Sequence, residues 1–261
     1  MKLVGKLVSV FRIAAGLTQA QLADRVGLQV ETIASIEQGR RALLPDLARQ
    51  LDRLLETKGA LETAVENMPE VDLIPAWAEQ YMDLEREALA LSWYDNQVVP
   101  GLLQTEAYAR AVFRNRVPVF SEEKIEDQTT GRLERQEILR RSEPPTISFV
   151  IWEPVVRLQL VDDEQHAEQL RHLRTCAALP GICLQVLPLH RRTHAGLNGP
   201  FILLETPDYQ HVAYSETQRG SLLVSDRDEV SILSQKYAML RAQALNPEDT
   251  VGLLDQLLGE Q

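Results

Sequence analysis

The sequence predicts a two-domain chain: an all-α domain of five helices, followed by an α+β domain with a helical half, a small sheet of about five strands and flanking helices. Three observations carry this. At 261 residues the chain exceeds the usual size of one domain. Residues 1–58 show helical periodicity. After Glu143-Pro144-Pro145 the character changes to short β-branched and aromatic runs separated by Gly, Pro and Asn turns. The boundaries read as 1–58 for the first domain, 59–75 for a linker containing Pro69 and Pro75, and 76–261 for the second domain. With 44% hydrophobic and 25% charged residues, the composition is that of an ordinary folded chain.

The elements follow in order. Leu7, Phe11 and Ala14 recur at helical spacing in the first helix. Thr18 followed by Gln21 is a capping box, in which the hydroxyl accepts from an orphan N–H and the glutamine reaches back. Leu22, Ala23 and Val26 form the apolar stripe of the second helix, and Gly27 supplies its stop. A third runs from about Gln29 to Gly39, burying Ile33 and Ile36. Pro45-Asp46-Leu47 opens the fifth short helix of the domain, with Leu47, Leu51, Leu54 and Leu55 on one face, and Lys58-Gly59 closes it. From Trp77 the run AWAEQYMDLEREALALSWYD reads as a long helix carrying Leu84, Ala88 and Leu91 on one side. Pro100-Gly101 breaks the pattern, LLQTEAYARAVF resumes it, and 121–141 is a further charged helix. Strands are expected at Thr146–Trp152, Ile182–Leu187, Phe201–Glu205, His211–Ser215 and Leu222–Val224. Helices are expected from about Asp163 to Ala178 and over Arg227–Leu245, with an amphipathic tail to Leu258.

Two short helices joined by a tight turn, the second with a polar outer face, form a helix-turn-helix arrangement, and this points to DNA. Residues Gly16-Leu17-Thr18-Gln19, Leu22-Ala23, Val26-Gly27, Thr32-Ile33, Ile36-Glu37 and Gly39-Arg40-Arg41 resemble the Cro- and repressor-type helix-turn-helix family, also called the xenobiotic-response-element family, over positions 1–57. An all-α interaction module that kept the shape without the DNA is the competing reading. In the repressor geometry the N-terminal residues of the second motif helix meet base edges. That end supplies Gln29, Glu31, Thr32 and Ser35. Gln29 is the best candidate for direct readout, through adenine N6 and N7, and Thr32 offers a hydroxyl or a methyl. The resemblance places Gln19 on a phosphate, and Arg40 and Arg41 follow the helix where they meet the backbone. Glu31 repels phosphate unless it accepts from cytosine N4, and is otherwise a solvated acid at a helix N-terminus. Glu37 reads as structural, paired with a base inside the domain.

The net charge of −11 splits into +3 over residues 1–58 and −14 over the rest, so the attraction for phosphate sits at one end. A net +3 is modest, which argues for two copies on one duplex.

In the second domain, Val99-Pro100-Gly101-Leu102-Leu103-Gln104-Thr105, Ala107-Tyr108-Ala109, Arg132-Leu133-Glu134-Arg135-Gln136, Ile138-Leu139, Gln169-Leu170, His172-Leu173, Gln185-Val186-Leu187-Pro188 and Gly199-Pro200-Phe201 are similar to the C-terminal domain of WhiJ-like actinobacterial regulators over 75–245. The resemblance implies a transcriptional regulator, often encoded beside a small partner protein in an antitoxin-like arrangement, with no ligand or reaction to carry over.

Other chemistries find little support. No 18-residue apolar run and no signal-peptide cleavage site occur, so a cytoplasmic protein without a membrane partner is expected. Cys176 and Cys183 match neither a redox pair nor a zinc knuckle and read as small buried hydrophobes. His190 and His194 are four apart, but Pro188 and Gly196 bracket them as a loop and nothing nearby completes a metal set. No nucleophile-elbow pattern or glycine-rich phosphate loop occurs, and Glu153 reads as a strand-end residue rather than a pocket carboxylate. Trp77, Trp93, Tyr94 and Tyr108 line either a pocket or, more simply, the core. The expectation is a dimeric regulator binding double-stranded DNA, with no enzymatic activity, cofactor or metal. Its second domain senses a small-molecule effector or a small protein partner. The alternative is an antitoxin-like protein that sequesters a neighbour-encoded partner and autoregulates its operon.

Overall fold

The computed structural model describes residues 2–39, 41–66, 81–217 and 220–259. They form two compact units, one of Met1–Ala88 with Leu203–Ile232 and the other of Leu89–Ile202 with Leu233–Gln261.

The first unit begins with five helices: α1 (Lys2–Ala14), α2 (Gln19–Val26), α3 (Val30–Glu37), α4 (Pro45–Leu54) and α5 (Ala60–Glu66). The capping box of α2 is complete: the Gln21 N–H donates to the Thr18 hydroxyl at 3.2 Å and the Thr18 N–H to the Gln21 amide oxygen at 2.9 Å. Gly27 then ends the helix in the left-handed region, at φ 71°. Val8, Leu22, Ile33, Ile36, Leu51 and Leu61 are all but excluded from water and form the centre of one core.

The fifth helix of this domain is Ala60–Glu66, inside the stretch expected to be a connector, and Pro69 and Pro75 lie outside the described residues. Its cap comes from the preceding helix. The buried Asp52 carboxylate accepts from the N–H groups of Leu61 and Glu62 at 2.9 and 2.8 Å. Leu61 and Val65 thereby enter the common core, so the domain runs on past residue 58.

Six strands are described: β1 (Ala90–Asp95), β2 (Thr146–Trp152), β3 (Ile182–Leu187), β4 (Phe201–Glu205), β5 (His211–Thr217) and β6 (Gly220–Val224). Pairing is mixed. β1 and β3 flank β2 in parallel, with Trp93 opposite Phe149 and Phe149 opposite Leu184. β5 and β6 pair antiparallel in the first unit. β2 is buried from Ile147 to Ile151, the continuous apolar run expected of a parallel strand covered on both faces.

β1 falls where the long helix of 77–95 was expected. The described part of that run is helical only over 81–87 and then turns extended, and Trp77 lies outside the described residues. Pairing of all of β1 with Thr146–Ile151 of β2 outweighs the helical preference of Ala90 and Leu91, a tertiary override of local propensity.

The second unit carries helices α6 (Glu106–Arg114), α7 (Glu122–Arg135), α8 (Glu153–Arg157), α9 (Asp163–Ala177) and α11 (Pro247–Leu258), while α10 (Arg227–Gln243) begins in the first unit and ends in the second. Buried amides tie its turns together. Gln104 donates to the Val99 carbonyl at 2.6 Å and accepts from Arg132 at 2.9 Å. Gln136 donates to the Gln104 carbonyl at 2.7 Å, and Gln169 donates to that of Leu103 at 2.7 Å while accepting from the Thr105 N–H at 2.8 Å. The Val99–Thr105 segment, which no helix or strand satisfies in full, is held this way.

α1 approaches α3 most closely at Gly5, where a Cβ would collide with the carbonyl oxygens of Ile36 and Glu37. An alanine gains up to about 1 kcal/mol of helix propensity. Overpacking against backbone costs about 1–3 kcal/mol, so the collision wins. Gly5→Ala is therefore expected to lower the urea midpoint of the N-terminal domain, by about 1–2 kcal/mol in unfolding free energy. Val10→Ala, on the exposed face of α1, shifts it by less than about 0.5 kcal/mol.

Candidate nucleic-acid interface

The surface of interest is built on α3, an eight-residue helix too short to be stable alone. Its C-terminal Glu37, only 6% exposed, is gripped by Arg12 of α1. The guanidinium donates through Nε to one carboxylate oxygen and through Nη2 to the other at 2.9 Å, while Nη1 donates to the Leu17 carbonyl at 2.7 Å. Gln19, at the start of α2, adds a bond to the same carboxylate at 2.8 Å. One ion pair thus joins all three helices of the motif. Burial alone would push the Glu37 carboxyl up, but the bonds from Arg12 and Gln19, the charge of Arg12 and a bond from Ser9 outweigh it and hold the group below its ordinary range.

With α3 so fixed, the candidate residues take different places. Gln29 is the N-cap, exposed, with no cap bond from its side chain, so its amide is available to a base. Glu31 is exposed one residue into α3, where its charge suits the helix N-terminus. Ser35 is half-buried, and its carbonyl accepts from the Arg41 N–H at 3.1 Å. Gln19 gives one amide N–H to Glu37 and is half-buried at the start of α2. Arg40 lies outside the described residues.

Thr32 and Arg41 stand apart. Thr32 is only 7% exposed, although it lies in the first turn of the helix expected to read bases. Its hydroxyl accepts from Arg41 Nη1 at 3.2 Å and donates to Asp208 Oδ2 at 3.3 Å. Asp208 belongs to the turn between β4 and β5, in the same unit. Burial lowers the affinity of the Arg41 guanidinium for its proton, opposed in turn by Asp208, Glu87 and Asp83. Sequence reasoning missed Arg12, Asp208, Asp83 and Glu87. Arg12 was within reach, as the one base in the last turn of α1. The others are placed by tertiary structure alone.

The rival sites have structural employment. His190 and His194 sit in the loop after β3, and His194 Nδ1 accepts from the Gly196 N–H at 3.2 Å. Glu153 accepts from the Leu189 N–H and from Arg157, both at 2.7 Å. Trp93, Tyr94 and Tyr108 are buried, and the Tyr108 hydroxyl accepts from the Val99 N–H at 3.2 Å. Both cysteines are free; Cys176 is buried, which pushes its thiol up to about 11, and Cys183 is half-buried. No single helix among the described residues is long and apolar enough to cross a membrane.

Two family models match the chain. One described as a helix-turn-helix domain matches residues 4–65, and one described as a domain of unknown function, DUF5753, matches residues 78–256. No curated protein and no solved structure matches it.

A carboxyl group depressed by folding stabilises the fold above its unfolded pKa of about 4.3, and that stability is lost as pH falls through the folded value. Glu37→Gln is expected to cost about 3 kcal/mol at pH 7 by leaving Arg12 without its charge partner. The gap between wild type and variant should narrow steadily below about pH 4.3 in urea titrations. A gap that does not change with pH would show that Glu37 acts by packing alone.

Proposed function

Since the chain belongs to the DUF5753 family and carries a helix-turn-helix domain in front of it, we propose that it is a sequence-specific transcriptional regulator of the xenobiotic-response-element type that binds its operator as a dimer. The helix-turn-helix domain makes the chain a DNA-binding regulator. The observation that carries the finer reading is the exposed, uncommitted Gln29 at the N-terminus of an α3 locked in place by Arg12 and Glu37. A short polar helix end held rigid in this way is what base readout in the major groove requires.

Gln29 reads a base, with adenine as the best match, and Glu31 selects against phosphate-rich approach unless a cytosine N4 lies opposite. Arg40 and Arg41 meet the backbone. With about four phosphates neutralised per subunit, a dimer gives a log–log salt slope near about −7, and two-fold symmetry puts half-sites about 34 Å apart. The C-terminal domain receives the signal, a small molecule or a small protein partner; the WhiJ-like regulators it resembles are often encoded beside a small partner protein. The chain works in the cytoplasm, as a regulator rather than a catalyst.

The test is binding of the full chain to its own promoter region across a salt series. Gln29→Ala is expected to reduce discrimination between operator and unrelated duplex by about 1–3 kcal/mol while leaving the salt slope in place. Arg40→Ala should weaken both duplexes alike and make the slope shallower by about 0.9. A wild-type slope near zero removes the DNA model altogether. A Gln29→Ala variant with unchanged discrimination removes Gln29 from the readout.

A further inference from the structure

We propose that the turn around Asp208 is an autoinhibitory contact, which sets a carboxylate against Thr32 and Arg41 where a DNA phosphate would otherwise lie and which duplex binding displaces. The proposal rests on the DNA-binding reading of α3.

Its first support is steric. In the repressor geometry the first turn of the seated helix presents its side chains to base edges, so a residue there that is covered and bonded to a neighbouring turn is not free to make that contact. Asp208 Oδ2 lies 3.3 Å from the Thr32 hydroxyl, and Thr32 is 7% exposed. Contact in the groove and contact with Asp208 exclude each other at this residue.

The second support is charge. Arg41, expected to meet a phosphate, donates to the Thr32 hydroxyl at 3.2 Å, the same hydroxyl that bonds Asp208, and its charge is favoured first by Asp208 and then by Glu87 and Asp83. Asp83 also pairs with Arg86 at 3.1 Å. Carboxylates close enough to act on the guanidinium supply part of the negative charge that a phosphate would bring. The same surface gains a further tether at α4, where Arg49 lies 3.9 Å from Asp226.

The third support is the construction of the turn. The Thr206 N–H donates to the Gln210 carbonyl at 2.9 Å, the Tyr209 N–H to the Thr206 carbonyl at 2.8 Å, and the Gln210 N–H to the Thr206 hydroxyl at 3.2 Å. Tyr209 takes φ 58°, a left-handed conformation that tightens the turn, and is 76% exposed. Asp208 is thus presented on a stiff support. Its own bond to Thr32 is long and half-buried, which suits a contact that has to be given up.

The experiment compares the full-length wild type with Asp208→Ala and Asp208→Asn on the promoter duplex and on an unrelated duplex of equal length. Thermal melts confirm that each variant folds, and the asparagine form keeps the size of the turn residue if alanine disturbs it. Both variants are expected to bind both duplexes about tenfold more tightly than wild type, because the competing carboxylate is gone. Hydrogen exchange at the amides of residues 206–210 should speed up when wild type is saturated with duplex. Unchanged or weaker binding by folded variants, with wild type binding well, overturns the inhibitory role and leaves the DNA reading intact. Slower exchange of 206–210 on saturation overturns it too. If no form retains either duplex even at low salt, the DNA reading itself fails and the inhibitory role falls with it.

Discussion

The N-terminal domain depends on one buried ion pair. Glu37 at the end of α3 takes two bonds from Arg12 of α1 and one from Gln19 of α2. Neither eight-residue helix is long enough to persist alone, so their relative angle depends on the shared core and on this pair. A bidentate guanidinium–carboxylate pair supplies direction as well as energy, because its two bonds lie in one plane. Gly5 complements it by letting the α1 backbone come against that of α3, so the pair is reached without strain. Remove the charge partner and the exposed Gln29 loses its platform. Recognition in this chain therefore starts from a buried contact that touches no DNA.

The same logic separates what was legible in the sequence from what was not. The capping box at Thr18 and Gln21, the left-handed Gly27 and the apolar run of β2 are each local, and each stands where its residue pattern puts it. β1 was hidden because Ala90 and Leu91 continue the helical spacing of 81–87; only the neighbouring β2, more than fifty residues on, makes that segment extended. α5 was hidden because its cap, Asp52, belongs to another helix. Among the candidate site residues, Gln29 and Glu31 are exposed as a groove-facing end should be. Thr32 is buried and bonded to Asp208, 176 residues away, and no spacing rule reaches that far.

The division of charge gains a physical meaning from that contact. A first domain at +3 and a remainder at −14 can be read as an electrostatic handle on a solubilising body. Covalently tied acids are also competitors. A carboxylate on the same chain is present at an effective concentration in the millimolar range, independent of dilution, whereas an operator phosphate has to be found. On the proposed latch, a tethered acid near Arg41 lowers the apparent affinity for every duplex by the same factor, so weak, non-specific encounters, which rely on phosphate contacts alone, are the first to lose occupancy. Specific sites stay occupied because base contacts give them a tighter starting affinity.

That filter sets a limit on how strongly the turn can hold. A contact worth about 1.4 kcal/mol reduces apparent affinity tenfold, which a second base contact recovers; one of about 2.7 kcal/mol would keep ninety-nine molecules in a hundred closed and lower it about a hundredfold. The long hydroxyl–carboxylate bond at Thr32 and the 3.9 Å separation of Arg49 from Asp226 belong to the weaker class. A weak latch can be controlled. Whatever binds the rest of the chain needs only a differential affinity of a few kcal/mol for the open arrangement to move the population across its midpoint. β4 and α10 both run from one unit into the other, with the segment bearing Asp208 between them. On the proposed reading, a ligand that shifted either element would act on the latch through the backbone, without touching the DNA-binding helices themselves.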